Sequence, residues 1–450
     1  MKLFMSALLF ISTQVMGATI AVIDSGVDIE HKDLLTKLWV NSAEVADNGR
    51  DEDKNGYQDD VNGWNFAEQN NLVIDRKYIG TFSQDPYKFF EIQGKMFLNR
   101  ASEAEVTWLK EKVQDAAFLK EMQIFGNFVH GTHVAGITAN ENSHAKVIAV
   151  KLIPTEVKPI LKKFQQKINS KNIITKDFRI KLLKQALIAL ADQQMLMLEE
   201  IAFYVGNHGA DIANGSFGTG FNQARMITDT LFKIIMFRKP KPAESEEMAM
   251  VFLNSLVSSG KAMVDAAPKT LFVFAAGNDG MNNDKYPTSP TNIIADNVIS
   301  VAATYKYNFI APFSNYGEKM VDVAAPGMLI RSQIPGNLYL EVSGTSQAAP
   351  YVANLAAQIK DINNALTPKQ IKKILMRTVD EKEFLALKVK SKGIVNLQRA
   401  TYAAELSLDR EISAAILQAN INVADVVVDK DKTILNAHAV TPIPLVQLFK

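Results

Sequence analysis

Short apolar runs recur along the chain, each closed by small or turn-forming residues: TIAVIDSG (19–26), AKVIAVKLI (145–153), ADIANGSFG (210–218), TLFVFAAGN (270–278), NVISVAAT (297–304) and VDVAAPG (321–327). Their apolar positions are nearly continuous and do not alternate with polar ones. Such runs predict strands buried on both faces, the mark of a parallel sheet. Stretches with helical spacing lie between them. Strand alternating with helix predicts an α/β fold, with a mostly parallel central sheet, flanking helices and right-handed crossovers. In open sheets of this kind chemistry collects at the carboxyl ends of strands. Those ends carry Asp24, Ser216 and Asn278.

Three stretches read as helical additions. One runs from Ser102 to about residue 125 and opens with Ser102 and Glu105 at capping-box spacing. The second, 157–206, is rich in Lys, Leu, Gln and Met at helical spacing, with Met195, Met197 and Leu198 expected to face a core. A third interruption, about 229–268, contains FRKPKPAESEE (237–247), Pro-rich and charged, which predicts a solvated loop. After about Leu406 the strand–helix rhythm stops, and VVVDKDKTILNAHAV (426–440) has the form of a small hairpin. The expected organisation is one large domain over 18–406, interrupted at about 67–127, 157–206 and 229–268, with a C-terminal extension over 407–450.

Composition narrows the picture. With 450 residues, 47% apolar and 22% charged, the chain is ordinary globular material. A net charge of +1 gives no electrostatic case for nucleic acid or a membrane surface as partner. The absence of cysteine excludes disulfides, thiolate metal sites and a cysteine nucleophile. The N-terminus, MKLFMSALLFISTQVMG, has one lysine, an apolar run and a small residue near position 17. This is the pattern of a secretory signal over 1–17, too short for a membrane span, and predicts an exported, extracellular or periplasmic protein.

Four segments carry candidate chemistry. Asp24 ends an apolar run, where a buried carboxylate needs hydrogen-bond partners. VHGTHVAG (129–136) holds two histidines at i and i+3, yet nothing nearby completes a zinc set. The small residues after His130 predict a helix that starts here against a sheet, with His130 facing a cleft and His133 packing inward. Asn278 follows a strand through a Gly turn, a place from which a side-chain amide can donate to a developing oxyanion. In SGTSQAAP (343–350), Ser346 opens an apolar helical run and gains from free N–H groups and the positive end of the helix dipole. Ser343 precedes Gly344 and falls outside that helix. Pro350 has no N–H, so the carbonyl four residues back lacks its usual partner.

Taken together, AVIDSGVDIEHKDL, HGTHVAG, NGSFG, AAGND with the later YPTSP, and GTSQAAP resemble the subtilisin-like serine proteases, the subtilase family (peptidase family S8). Their order, Asp, His, Asn, Ser, is that of the family. The resemblance implies a three-layer subtilisin-like fold and a serine endopeptidase acting on protein or peptide substrates. It makes Ser346 the nucleophile, His130 the general base and Asp24 the group that orients the imidazole. Asn278 and the Ser346 N–H would form the oxyanion hole. Ser216, Phe217 and Gly218 would pair with substrate backbone as an added strand, and Ala275, Ala276 and Gly277 would line the other side of the first specificity pocket. A catalytically silent peptide-binding relative is the alternative. An esterase of another fold would need Gly-x-Ser-x-Gly, where this chain has Ala348.

The chain departs from the family pattern at Gln347, where methionine is usual, and in the long insertions either side of His130. Many members carry an N-terminal prodomain that assists folding; here the first strand follows the signal pattern so closely that none is expected ahead of it.

DNGRDEDKNGYQDDVNGWNF (47–66) sets Asp51, Asp53, Asn55 and Asp59 in alternation, with Asp60 competing for the later ligand positions. Hard oxygen donors around a Gly turn suit a structural calcium ion, although the EF-hand pattern fails at Asn62. The segment also resembles an acidic loop that follows the first strand in many subtilases.

Overall fold

A computed structural model describes residues 17–157 and 175–427. The expected signal segment, Gly17 apart, and nearly all of the expected 426–440 hairpin lie outside the described residues. The strands are β1 (Thr19–Asp24), β2 (Gly63–Asn65), β3 (Lys146–Lys151), β4 (Ile212–Gly215), β5 (Leu271–Ala275), β6 (Val298–Tyr305), β7 (Phe309–Ile310), β8 (Val323–Pro326), β9 (Ile330–Ile334), β10 (Leu338–Val342), β11 (Asp380–Glu381) and β12 (Gly393–Ile394). The described helices are α1 (Asp85–Phe97), α2 (Glu103–Lys112), α3 (Ala116–Ala139), α4 (Lys176–Asn207), α5 (Phe221–Met236), α6 (Pro242–Asp265), α7 (Thr345–Ile362), α8 (Pro368–Arg377), α9 (Leu397–Leu406) and α10 (Ile412–Asn422).

Every apolar run singled out in the sequence contains a strand of one ten-stranded sheet, nine of whose strands are ordered β11-β12-β8-β6-β5-β4-β1-β3-β2, with β7 pairing antiparallel to β6 off this path. Neighbours along this order are parallel except β11 with β12. Continuous apolar runs are what this architecture demands. In β5, Leu271 and Val273 enter one core with residues of α3 and α7, while Phe272 and Phe274 enter the other with residues of α4, α5 and α6. The result is the expected three-layer α/β arrangement. The chain order turns back between β1 and β4, because β3 lies on the far side of β1. A crevice opens at the carboxyl ends of strands where the order reverses in this way.

The stretches expected to be helical contain helices, with 158–174 of the second lying outside the described residues, but their edges differ from the sequence reading. Ser102 and Glu105 do form a capping box at the start of α2. The next helix, α3, runs without a break from Ala116 through His130 to Ala139. The segment FRKPKPAESEE is a loop only over 237–241. Pro242 sits in the first turn of α6, where a missing N–H costs nothing, and Glu244 accepts from the Lys241 N–H at 2.8 Å while pairing with Arg238. Glu244 thus caps a helix, while Lys239, Lys241, Glu246 and Glu247 are solvent-exposed as expected. The 407–450 extension likewise is not without regular structure, since α10 packs Ile416 and Ala419 against the core.

Residues 68–75, in the first expected interruption, are tied to the sheet. Lys151, the last residue of β3, is completely buried, and its ammonium meets Glu68 and Asp75 at 3.0 Å each. A buried ammonium requires such partners, so residues 68–75 are fixed beside the end of β1. Among the described residues no helix is long and apolar enough to cross a membrane.

Candidate active site

Asp24 is the last residue of β1 and is fully buried. Its Oδ1 accepts from the Ser25 N–H at 2.7 Å and from His130 Nδ1 at 2.6 Å. His130 therefore carries its proton on Nδ1, which leaves Nε2 as a base; Nε2 is buried and has no hydrogen-bond partner in the resting structure.

The sequence placed His130 at a helix start. Instead it lies past the midpoint of α3. The Gly and β-branched residues of this stretch have low intrinsic helix propensity, and burial against the sheet overrides it. What they supply is fit. His130 meets Asp24, the Gly131 N–H donates to Ser25 Oγ at 3.0 Å, and Thr132 Oγ1 accepts from the Asp28 N–H at 2.9 Å. Gly131 lies directly against the Gly26 backbone. The HGT triplet thus docks residue by residue on the loop after β1.

His133 packs inward, as expected. Its Nε2 donates to the carbonyls of Ile330 and Leu340, in the two strands of the β9–β10 hairpin, at 3.1 and 3.0 Å. Burial pushes its imidazole down to about 4, so it is neutral. Gln347, at the position where the family pattern has methionine, approaches His133 Nδ1 with its side-chain amide at 3.5 Å.

Ser346 is the second residue of α7, behind the cap residue Gly344. Its Oγ donates to the Ser216 carbonyl at 3.0 Å, and Ser216 Oγ donates back to the Ser346 carbonyl at 2.9 Å. Ser343, the competing serine, accepts from the Leu329 N–H through its buried hydroxyl and serves the turn before α7.

Asn278 follows β5 through Ala276 and Gly277. Its Oδ1 accepts from both the N–H and the hydroxyl of Thr345, at 2.8 and 2.9 Å. Fixing the oxygen in this way turns Nδ2, the donor, toward the start of α7, 3.5 Å from where a Gly344 Cβ would stand. Asn315 braces the loop from outside, accepting from the N–H groups of Asp279 and Met281. Ser216, Phe217 and Gly218 run past the end of β4, followed by Thr219, which pairs with Ser289. Ala275, Ala276 and Gly277 leave the end of the adjacent β5. The Phe217 side chain is buried in the core, so this residue can offer a ligand only its backbone.

The acidic loop is gathered differently from the sequence pattern. Asp51 and Asp53 converge with Glu44, one carboxylate oxygen of each lying within 4.8 Å of the others. Asp53 also converges with Asp60 and His208 over the same distance. Asn55 is nearby, donating to Asp53 and Asp60. Asp59 is not in either group: its carboxylate accepts from the N–H groups of Asn48 and Gly49. Among the described residues no Lys or Arg forms an ion pair with Glu44, Asp51 or Asp53. Carboxylate oxygens gathered at this spacing fit a hard cation such as calcium. They also brace the loop: Glu44 accepts from the N–H groups of Glu52, Asp53 and Asp59, Asp51 from those of Asn55 and Gly56, and Asp60 from Asn41, Asn55 and the Tyr204 hydroxyl.

Sequence reasoning missed Thr132, Asn214, Thr345 and Asn315, each of which orients a candidate residue or the loop that carries it, and it missed Glu44 and His208 in the acidic clusters. Thr132, Asn214 and Thr345 sit inside the motifs; the others are named by no local pattern and are found only through the fold.

Relatives fit this picture. Subtilisin BL of Lederbergia lenta is 31% identical over 198 residues, 44% of this chain and 59% of its own length. Subtilisin Savinase, from the same organism, is 28% identical over 272 residues, 60% of this chain and 77% of its own. The chain thus matches less than two thirds of the length of subtilisin BL. A crystal structure of a cold adapted subtilisin-like serine proteinase superposes with a TM-score of 0.44 at 19% identity, covering 85% of this chain and 88% of that one. The sequence pattern of the Subtilase family matches residues 120–400, from within the helix that bears His130 past the one that bears Ser346. Asp24 lies ahead of that span and is brought in by the fold itself. The match covers well over half of the sequence, and the chain belongs to the subtilase family.

Proposed function

We propose that the protein is an exported serine endopeptidase that hydrolyses peptide bonds through an acyl-enzyme, with Ser346 as nucleophile, His130 as base and Asp24 as its orienting partner. The observation that carries this reading is the fully buried contact of 2.6 Å between His130 Nδ1 and Asp24, which leaves Nε2 without a partner.

In the proposed reaction an extended peptide lies between residues 216–218 and 275–277, pairing as an added strand. The Ser346 hydroxyl turns from the Ser216 carbonyl to His130 Nε2, gives up its proton and attacks the scissile carbonyl. Negative charge on the carbonyl oxygen is met by Asn278 Nδ2 and the Ser346 N–H, whose position at the first turn of α7 leaves it free of a helical partner. Asp24 holds the tautomer and stabilises the imidazolium. His130 then donates its proton to the leaving amine, and a water molecule repeats the sequence to release the acid. The insertions restrict which substrates reach the cleft.

Glu44, Asp51 and Asp53 would hold calcium, which would supply charge compensation for the acidic loop and no chemistry at the cleft. The N-terminal signal pattern supports export.

The test is labelling of the full chain with a fluorophosphonate, read by intact mass and peptide mapping. One adduct on Ser346, lost in His130→Ala, is expected. A folded chain that takes no probe would overturn the activity and favour a silent, peptide-binding member.

A further inference from the structure

We infer that Ser216 is a positioning residue for the nucleophile, its hydroxyl standing in for the peptide N–H that Pro350 lacks. The inference rests on the proposed endopeptidase reading and deepens it.

Helical geometry assigns the carbonyl of residue 346 to the N–H of residue 350. Residue 350 is proline, inside α7 and buried. The Ser346 carbonyl is therefore left without its usual donor, at a site where an unpaired polar group is costly. Ser216 Oγ donates to that carbonyl at 2.9 Å. The donor is itself oriented: Asn214 Nδ2 donates to Ser216 Oγ at 2.9 Å, which directs the Ser216 proton toward Ser346. Asn214 is held in β4, opposite Val22 of β1 and Val273 of β5. The reciprocal bond, from Ser346 Oγ to the Ser216 carbonyl at 3.0 Å, closes a ring between the two residues.

Ser346 is thus referenced to the centre of the sheet, which also carries Asp24, and not only to its own helix. Pro350 breaks the helical bond that would otherwise fix the nucleophile's carbonyl, and Ser216 replaces it from the strand beside β1. The same Ser216 begins the segment along which substrate is proposed to pair, so one residue sets both sides of the attack.

A double-mutant cycle in the full chain tests this: Ser216→Ala, Pro350→Ala and both together, each read by fluorophosphonate labelling rate, by kcat and KM on a peptide substrate, and by melting temperature. Ser216→Ala is expected to slow labelling and kcat about ten- to a hundredfold with KM little changed, as follows from leaving one half-buried carbonyl unpaired beside the nucleophile. Ser216→Thr, which keeps the hydroxyl, should restore most of the rate. Pro350→Ala supplies an N–H to the Ser346 carbonyl, so in that background the loss from Ser216→Ala should shrink to about threefold or less. Additive losses would overturn the inference. So would a lowered melting temperature with an unchanged labelling rate, which is the signature of a structural role alone. A wild-type chain that takes no probe, while the two substitutions still couple in melting temperature, would instead overturn the proposed activity, and with it the nucleophile that Ser216 is said to position.

Discussion

Gly131 stands so close to the Gly26 carbonyl that a Cβ on it would lie 2.2 Å from that oxygen. Both partners are backbone, so neither can yield without parting α3 from the loop after β1. Gly131→Ala is expected to destabilise the protein by about 3 kcal/mol or more, or to prevent folding. Gly136→Ala, on the same helix, meets the side-chain ends of Gln333 and Ser332, which can swing aside. It is expected to cost about half as much. Chemical denaturation of the two variants checks the contrast, and equal stabilities would refute it.

The amide of Asn278 has one end fastened by Thr345 and the other free. Asn278→Leu should lower kcat by roughly a hundred- to a thousandfold with little change in KM, the range known for this donor in subtilisin. Thr345→Val keeps its N–H bond to Asn278 but loses the hydroxyl that also accepts from the Gly277 N–H. Its loss should be smaller, on the order of tenfold. Steady-state kinetics separates the two. A Thr345→Val variant as impaired as Asn278→Leu would place the oxyanion donor elsewhere.

Buried His133 makes stability sensitive to acid. Its imidazole sits at about 4 in the folded chain, against about 6.5 when unfolded. As pH falls, the unfolded chain takes up this proton first. The stabilisation is therefore complete above about pH 6.5 and drains away between there and about pH 4, amounting to about 3 kcal/mol. Urea midpoints measured across that window should fall more steeply for the wild type than for His133→Gln. Equal slopes would remove His133 from the account.

Calcium should raise the melting temperature and a chelator lower it, by mass action on the folded state. Glu44→Gln with Asp53→Asn should abolish that difference without changing the labelling of Ser346. A melting curve indifferent to both additions in the wild type would leave the acidic loop a hydrogen-bonded turn.

Much of the molecule was legible in its sequence because the strongest signals were local. Six strands of the large sheet announced themselves through continuous apolar runs, though β2, β7 and β9–β12 did not, and Asp24, His130, Asn278 and Ser346 each stood in a short motif. Pro350 even foretold an unpaired carbonyl, although its replacement donor, Ser216, lies on a distant strand. The failures came where context outweighed local preference. The small residues after His130 read as a helix start, yet Gly131 and Gly136 lie inside α3, because close packing requires small residues there. Pro242 and Glu244 read as loop, because a capped helix start and a charged turn use the same residues. Glu44 joined the acidic cluster from outside the motif, and no spacing rule reaches it.

The continuity of α3 has a consequence for how this lineage can be rebuilt. The helix is 24 residues long, about 36 Å; its first part falls in the stretch the sequence reading took as an interruption, while its second part carries His130. That stretch is therefore not a cassette seated on a loop. Cutting it out at residue 127 would sever the helix just ahead of His130 and strip the cover from Phe128 and Val129. Helix α1, ahead of it, is bound in as well, since its Phe89, Ile92 and Phe97 are buried in the same core.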